Sequence, residues 1–439
     1  MKFDKSKAIQ ERARKRIPGM TQLLSKRPDR FSQGVWPAYY DKSKGCEVWD
    51  LDGNHYQDMS ISGIGACILG YADPDVDAAV TEAIRKGVAS SLNCPEEVEL
   101  AELLCELHPW ADMARFTRSG GEAMAVAVRI ARAHTGRDVV AFCGYHGWQD
   151  WYLAANLGTE NALGEHLISG LKPKGVPKAL TGTALPFRFN HLEELQAIVD
   201  AHGDSLGVIV IEPIRSTRPE PGFFEGIRAI ADKTGAVLVI DEISAGFRFC
   251  CGGSHLELFD QTPDMAVFSK AMGNGYPISA VIGTEKVMQS AQDTFISSTN
   301  WTERTGFAAA LATIRKHREL GVHHRLGELG RAVMDGWQKA ADKHGLAIRI
   351  EGLDPFPHFD LGTKDPLILK ALFVQLMLEQ GFLASNLYYA MFAHSDENVK
   401  QYLQAVDTAF GTIAKAIEAG NYASMIKGEP AMAGFGRLA

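Results

Sequence analysis

The chain has 439 residues and a formal net charge of −8, from 45 Lys and Arg against 53 Asp and Glu. Hydrophobic residues make up 46% and charged residues 22%, which excludes a disordered or fibrous protein. The acidic balance argues against a protein built mainly to grip nucleic acid or an anionic membrane, because both need a basic excess.

The opening stretch, MKFDKSKAIQERARKRIPG, lacks the apolar core of a secretory signal. Asp4 and Glu11 argue against a transit peptide, so a surface helix is expected over 8–16, stopping near Pro18-Gly19. Residues 46–58 predict a hairpin: Val48, Trp49 and Leu51, an Asp52-Gly53 turn, then Tyr56. A Gly-rich passage from Ser60 to Gly70 follows, and then helices over 74–87, 95–107 and 122–134. Strands are expected at 138–143, 207–212, 236–241, 265–268 and 279–283, with a helix over 223–234. GVIVIE and AVLVID are continuous apolar runs, as in strands buried on both faces. The stretch 151–185 is rich in Gly, Pro and Lys and reads as a functional loop or lid. Beyond 305 the pattern turns mainly helical, over 306–318, 322–344, 366–380 and 396–418, with short strands near 347–351 and 356–361.

Strands alternating with helices predict an α/β fold with a mostly parallel sheet. One large body should span 60–305, and a smaller α+β body should be built from 1–59 and 306–439. No run approaches the roughly 18 apolar residues needed to cross a bilayer, so no membrane span is expected. The seven cysteines form no C-x-x-C pair, and Cys250 and Cys251 are adjacent. That suits reduced thiols in a cytoplasmic protein and no metal site.

Four segments carry polar residues at strand ends or turns, where ligands bind in parallel sheets. Arg118-Ser119-Gly120-Gly121-Glu122 opens a helix, and its backbone N–H groups suit a phosphate as well as they suit an ordinary Ser cap. Tyr145, His146 and Trp148 follow a buried strand and offer rings for a planar ligand or for a core. Asp241-Glu242 ends AVLVI, where a carboxylate must be paired, and Glu212 repeats the pattern after GVIVI. Lys270 ends an apolar strand and enters the turn Gly273-Asn274-Gly275, where its amine is placed either to form a Schiff base or to snorkel to the surface. As a set, a phosphate cradle, a stacking ring, a carboxylate and an amine are what pyridoxal 5′-phosphate (PLP) requires.

In this order the motifs resemble those of the class III, subgroup II, PLP-dependent aminotransferases, and most of all the glutamate-1-semialdehyde aminomutase-like branch. The resemblance runs from about residue 8 to 415 and rests on KSKGCEVWDLDGN, FTRSGGEAMAVAVRIARAHTGR, GYHGWQDW, IEPIRSTRPEPGFFEGIR, LVIDEISAGFR and FSKAMGNGYPISAVIG. It implies PLP fold type I, with a large PLP-binding domain and a smaller one. By the same resemblance Lys270 is the Schiff-base lysine, and Asp241 pairs with the ring nitrogen. Ile243 lies behind the ring and Tyr145 stacks on its other face. Ser119, Gly120 and Gly121 match the phosphate loop, with Gly121 in place of the usual Thr. Glu212 is placed near the cofactor. Thr299 would reach the phosphate of a partner subunit, which implies a homodimer.

Some positions depart from the aminomutase pattern. Ser25 stands where its substrate-binding Arg would fall, Ile64 replaces a Trp, and Thr217 replaces an Asn. These losses argue against glutamate-1-semialdehyde as substrate. The chain also resembles class III enzymes that aminate oxidised sugars or aminocyclitols. Trp148, Arg215 and Arg218 are the candidates on the substrate side, although the two arginines read equally well as surface residues. The expected activity is transamination from an amino acid donor, glutamate by resemblance, to an aldehyde or ketone. An intramolecular aminomutase and a non-catalytic PLP-fold binding protein are the alternatives. A nicotinamide dehydrogenase is disfavoured, because Gly63-Ile64-Gly65 lacks the third glycine.

Overall fold

In the computed structural model, which describes residues 2–436 except 165, 167, 168 and 215, the hairpin expected at 46–58 forms around Asp50. Strands β1 (Tyr40–Lys44), β2 (Glu47–Asp50) and β3 (His55–Asp58) pair antiparallel. The Asp50 carboxylate accepts from the N–H groups of Asp52 and Asn54 at 3.0 and 2.8 Å, and Gly53 turns the chain at φ 86°. Asp52 in turn accepts from the N–H groups of Lys5 and Ser6, which open helix Asp4–Arg16.

The chain then lays down β4 (Met113–Thr117), β5 (Val139–Cys143), β6 (Ala184–Pro186), β7 (Leu206–Ile211), β8 (Val237–Asp241), β9 (Met265–Phe268) and β10 (Ser279–Gly283). They form one sheet in the order β4-β10-β9-β8-β7-β5-β6. The pairs from β6 through to β9 are parallel, while β10 runs antiparallel to both β9 and β4. Every residue of β5, β7, β8 and β9 is buried, as their unbroken apolar runs require. Helix Gly120–Thr135 lies across this sheet and buries Ala123, Met124, Ala127, Ile130 and Ala131 at helical spacing.

The expected helices form, each shifted by a few residues at most. Beyond the expected elements, the structure adds β1, β4, β6, the short strand Phe382–Leu383 and helix Leu192–His202. β6 straddles the end of the loop-like stretch 151–185, whose start overlaps the short helix Asp150–Leu153 and which holds the short helix Ala155–Gly158. Three residues ending in a proline give no readable period, and pairing with β5 is what makes them a strand.

Contacts divide the chain into Pro74–His323, which holds the seven-stranded sheet, and a unit made of Met1–Asp73 with His324–Ala439. Residues 60–73 thus group with the chain ends, and 306–323 group with the sheet. Helix Arg304–Leu320 accounts for the second shift, because it packs along helices Pro74–Lys86 and Pro95–Leu107. In the other unit β11 (Ile348–Glu351) and β12 (His358–Leu361) pair antiparallel, and β13 (Phe382–Leu383) joins β3 in parallel. Phe31, Val48, Tyr56, Val374, Leu378 and Leu383 form a core there. No described helix is long and apolar enough to cross a membrane.

Candidate active site

The carboxyl ends of β5, β7, β8 and β9 lie along one edge, and the chemistry-bearing segments leave from it. Asp241 is the last residue of β8 and is buried. Its Oδ1 accepts from the Ile243 N–H at 3.0 Å, and its Oδ2 lies 2.8 Å from His146 Nδ1. His146 is itself buried and holds its other nitrogen 3.2 Å from the Cys143 carbonyl oxygen.

Glu242 belongs to a different network. Alternation along the strand turns it away from Asp241. It accepts from His255 Nδ1 at 2.7 Å, from the His255 N–H at 2.9 Å and from Ser254 Oγ at 2.8 Å. Burial opposes its charge, but these donors more than offset burial and hold its pKa below the usual glutamate value.

Lys270 follows β9 by two residues and opens a short turn at φ 45°, a left-handed conformation that non-glycine residues rarely adopt. Its Nζ donates to Ser244 Oγ at 2.7 Å. The Ser244 carbonyl oxygen accepts from Nε of the buried Arg248 at 2.9 Å. Burial pushes the Lys270 pKa below the ordinary lysine value. Arg248 acts in the same direction, against the pull of Asp241 and Glu212. Glu212 follows β7, and its Oε2 accepts from the Tyr145 N–H at 3.1 Å. Gly144, at φ 127°, lets this carboxylate approach, since a Cβ there would meet Glu212 Oε2 at 2.6 Å. Tyr145 is half-buried, and its ring meets Tyr152 edge-on at 5.9 Å. Burial raises its pKa first, helped by Asp241 and Glu212.

Ser119 caps helix Gly120–Thr135, whose first turn offers N–H groups without helical partners. Glu122 Oε2 accepts from Ser119 N–H at 2.9 Å and from Ser119 Oγ at 3.2 Å. A Cβ on Gly120 would meet Ile243 Cδ1 at 2.8 Å, so the helix start sits close against the side chain that follows Asp241. The helix N-terminus, Ile243 and Asp241 therefore stand together.

The other described candidates are open to solvent. Trp148 is 70% exposed, and Arg218 and Thr299 are also exposed. Arg215 lies outside the described residues. The turn that carries Thr299 is held by Arg118, which donates to the carbonyl oxygens of Asn300 at 2.6 Å and Trp301 at 3.2 Å. The sequence offered His146 only as a ring for a planar ligand or a core, and Ser244, Arg248 and Gln149 did not stand out in it, although all four lie inside the quoted GYHGWQDW and LVIDEISAGFR motifs.

Few cofactors ask for an amine, a carboxylate and an anion cradle along one strand edge. PLP does, through its aldehyde, its ring nitrogen and its phosphate. The architecture is that of the PLP-dependent enzymes of fold type I. The chain belongs to the class III aminotransferases, whose family model, "Aminotransferase class-III", matches residues 31–408. It is 31% identical over 430 residues to a 3-aminobutyryl-CoA aminotransferase from Cloacimonas acidaminovorans (strain Evry), covering 95% of this chain and 99% of that protein. The FumI protein of Sphingopyxis sp. MTA144, solved in its PLP internal aldimine form, superposes with a TM-score of 0.86 at 25% identity, covering 98% and 99% of the two chains. A glutamate-1-semialdehyde aminomutase from Pseudomonas aeruginosa PAO1 shares the fold, with a TM-score of 0.79 at 20% identity over 93% and 94% of the chains.

Class III aminotransferases use PLP, and the residues present fit that cofactor. The Lys270 amine is desolvated, Asp241 is buried and held by His146, and the Gly120-Gly121 helix start is a cradle that larger side chains would fill.

Proposed function

We propose that this chain is a PLP-dependent aminotransferase that moves an amino group from an amino acid donor to an aldehyde or ketone. The observation that carries the reading is the Lys270 amine, desolvated and held 2.7 Å from Ser244 Oγ, with the Asp241–His146 pair at the end of the neighbouring strand. Lys270 would tether the cofactor. Asp241 would keep a proton on its ring nitrogen, Tyr145 and Ile243 would bracket the ring, and Ser119, Gly120 and Gly121 would hold the phosphate. Glu212 would line the same site. Bound PLP supplies the aldehyde for amine exchange and a ring that draws electron density from the donor Cα.

The rest is work for side chains. With its amine free, Lys270 Nζ would take the proton from the donor Cα. Its depressed pKa favours the neutral amine that this step needs. Ser244 Oγ orients the amine between uses. Asp241 needs a fixed orientation for its task, and the His146 and Ile243 N–H groups supply it.

Glutamate is proposed as donor. Oxidised sugars or cyclitols and a 3-oxoacyl thioester stand among the acceptors to be tested, the last because of the 3-aminobutyryl-CoA aminotransferase relative. Trp148, Arg215 and Arg218 are proposed to face the acceptor. A cytoplasmic homodimer is also proposed, in which the exposed Thr299 of one copy reaches the phosphate held by the other.

A half-reaction screen tests the reading. Stoichiometric glutamate should convert the PLP-loaded protein to its aminated form, and an acceptor should restore the visible spectrum. Isomerisation of a single amino aldehyde without any separate donor would favour the aminomutase instead. A PLP-loaded protein inert to every donor would leave only a binding role.

A further inference from the structure

Gly121 sits in the first turn of helix Gly120–Thr135, and its φ lies outside the left-handed region. Its backbone therefore does not require glycine. Space is what is taken: a Cβ at Gly121 would run into Gln149 Nε2 and lie 2.8 Å from Oε1, so the carboxamide would have to move aside. The Gln149 carboxamide fills the place that a side chain at 121 would occupy. Gly147, at φ 110°, admits it, because a Cβ there would meet Gln149 Oε1 at 2.6 Å.

The amide has one favoured orientation. Oε1 accepts from the Trp148 N–H at 3.1 Å. Nε2, with two hydrogens to donate, is then the end set against the helix start. It makes no hydrogen bond among the described residues. The nearby Ser119 hydroxyl is already engaged, 3.2 Å from Glu122 Oε2. An anion in this cradle would find backbone N–H groups and an uncommitted side-chain donor, Gln149 Nε2.

We propose that Gln149 is a ligand of the cofactor phosphate, donating from Nε2 at the position where residue 121 carries no side chain. The inference rests on the PLP reading above and adds to it a donor from a separate loop. Gly121 and Gln149 then act as a pair: the first makes room, and the second brings the hydrogen bond. A donor to a charged acceptor contributes more than a neutral pair, so its loss should be measurable.

The test is a titration of cofactor-free protein with PLP and with pyridoxal, which lacks the phosphate, read by absorbance. Gln149→Ala should weaken PLP binding about tenfold or more and leave pyridoxal binding unchanged. Gln149→Glu should weaken PLP further through like-charge repulsion. Gly121→Ser combined with Gln149→Ala should recover much of the loss by supplying a hydroxyl at 121. Inorganic phosphate should compete with PLP less well in Gln149→Ala than in the wild type. Equal PLP affinity in Gln149→Ala and wild type would overturn the proposal, as would an equal loss for PLP and pyridoxal. Wild-type protein that binds no PLP at all would overturn the cofactor reading itself, an outcome distinct from either.

Discussion

His146 Nδ1 lies 2.8 Å from Asp241 Oδ2, and both side chains are buried. The other ring nitrogen lies 3.2 Å from the Cys143 carbonyl oxygen, so the imidazole is clamped between two acceptors on adjoining segments. A carboxylate held this way keeps one orientation toward whatever it faces. His146→Phe removes the donor and leaves Asp241 buried with one hydrogen bond fewer. We expect kcat to fall by about tenfold or more, in line with the loss of a hydrogen bond to a charged group. PLP should also bind more weakly. His146→Asn, which can still donate, should retain part of both. Unchanged kcat in His146→Phe would show that Asp241 does not depend on the ring.

Lys270→Ala should abolish both steady turnover and the visible absorbance of the PLP-loaded protein. The far-ultraviolet circular dichroism should stay as in the wild type, since one truncated side chain leaves the sheet intact. Steady turnover in this variant would sink the assignment of Lys270.

The apoprotein should carry a signature of the same lysine. Burial lowers its folded-state pKa, so between that value and the ordinary one the unfolded chain binds a proton that the folded chain lacks. Stability contributed by this group therefore rises with pH across that window. Lys270→Met removes the penalty. The apo variant is expected to melt above apo wild type at pH 7, with the gap closing as the pH approaches about 10. A gap that stays constant with pH would assign the difference to packing instead.

Asp58 makes the opposite case in the other unit. Burial raises its pKa to about 6, although Tyr71 Oη donates to it at 2.6 Å and the Ser60 N–H at 3.0 Å. The folded chain therefore holds a proton that the unfolded chain has released, and stability from this group falls as pH rises through that window. Asp58→Asn should gain on the wild type between pH of about 4 and 6, by at most about 3 kcal/mol, and then hold level. Paired urea melts across that range would read the change. A variant that tracks the wild type throughout would contradict it.

The sequence carried the strands that are buried on both faces, because an apolar run bounded by glycine has little else to become. It also carried Lys270, Asp241 and Glu212, because polar residues at strand exits are conspicuous. β4 was not legible: Arg115 and Thr117 dilute its apolar character, and pairing with β10 decides it. Helix Leu192–His202 did leave a signal, Leu192, Leu195, Ile198 and Val199 at helical spacing, which the loop-like stretch before it obscured. Within the site, the roles of His146, Ser244 and Gln149 depend on which atom each one faces. His146 meets a residue 95 positions away, and spacing in one chain cannot show such a contact.

The way the strands pair has a consequence for synthesis. β4 has a single neighbour in the sheet, β10, and β3 takes its outer neighbour from β13, near the far end of the chain. A chain emerging from the ribosome displays both strands long before either partner has been translated. Those open edges invite pairing with other chains. Nascent chains halted before 279 should therefore be held by chaperones and should aggregate once released.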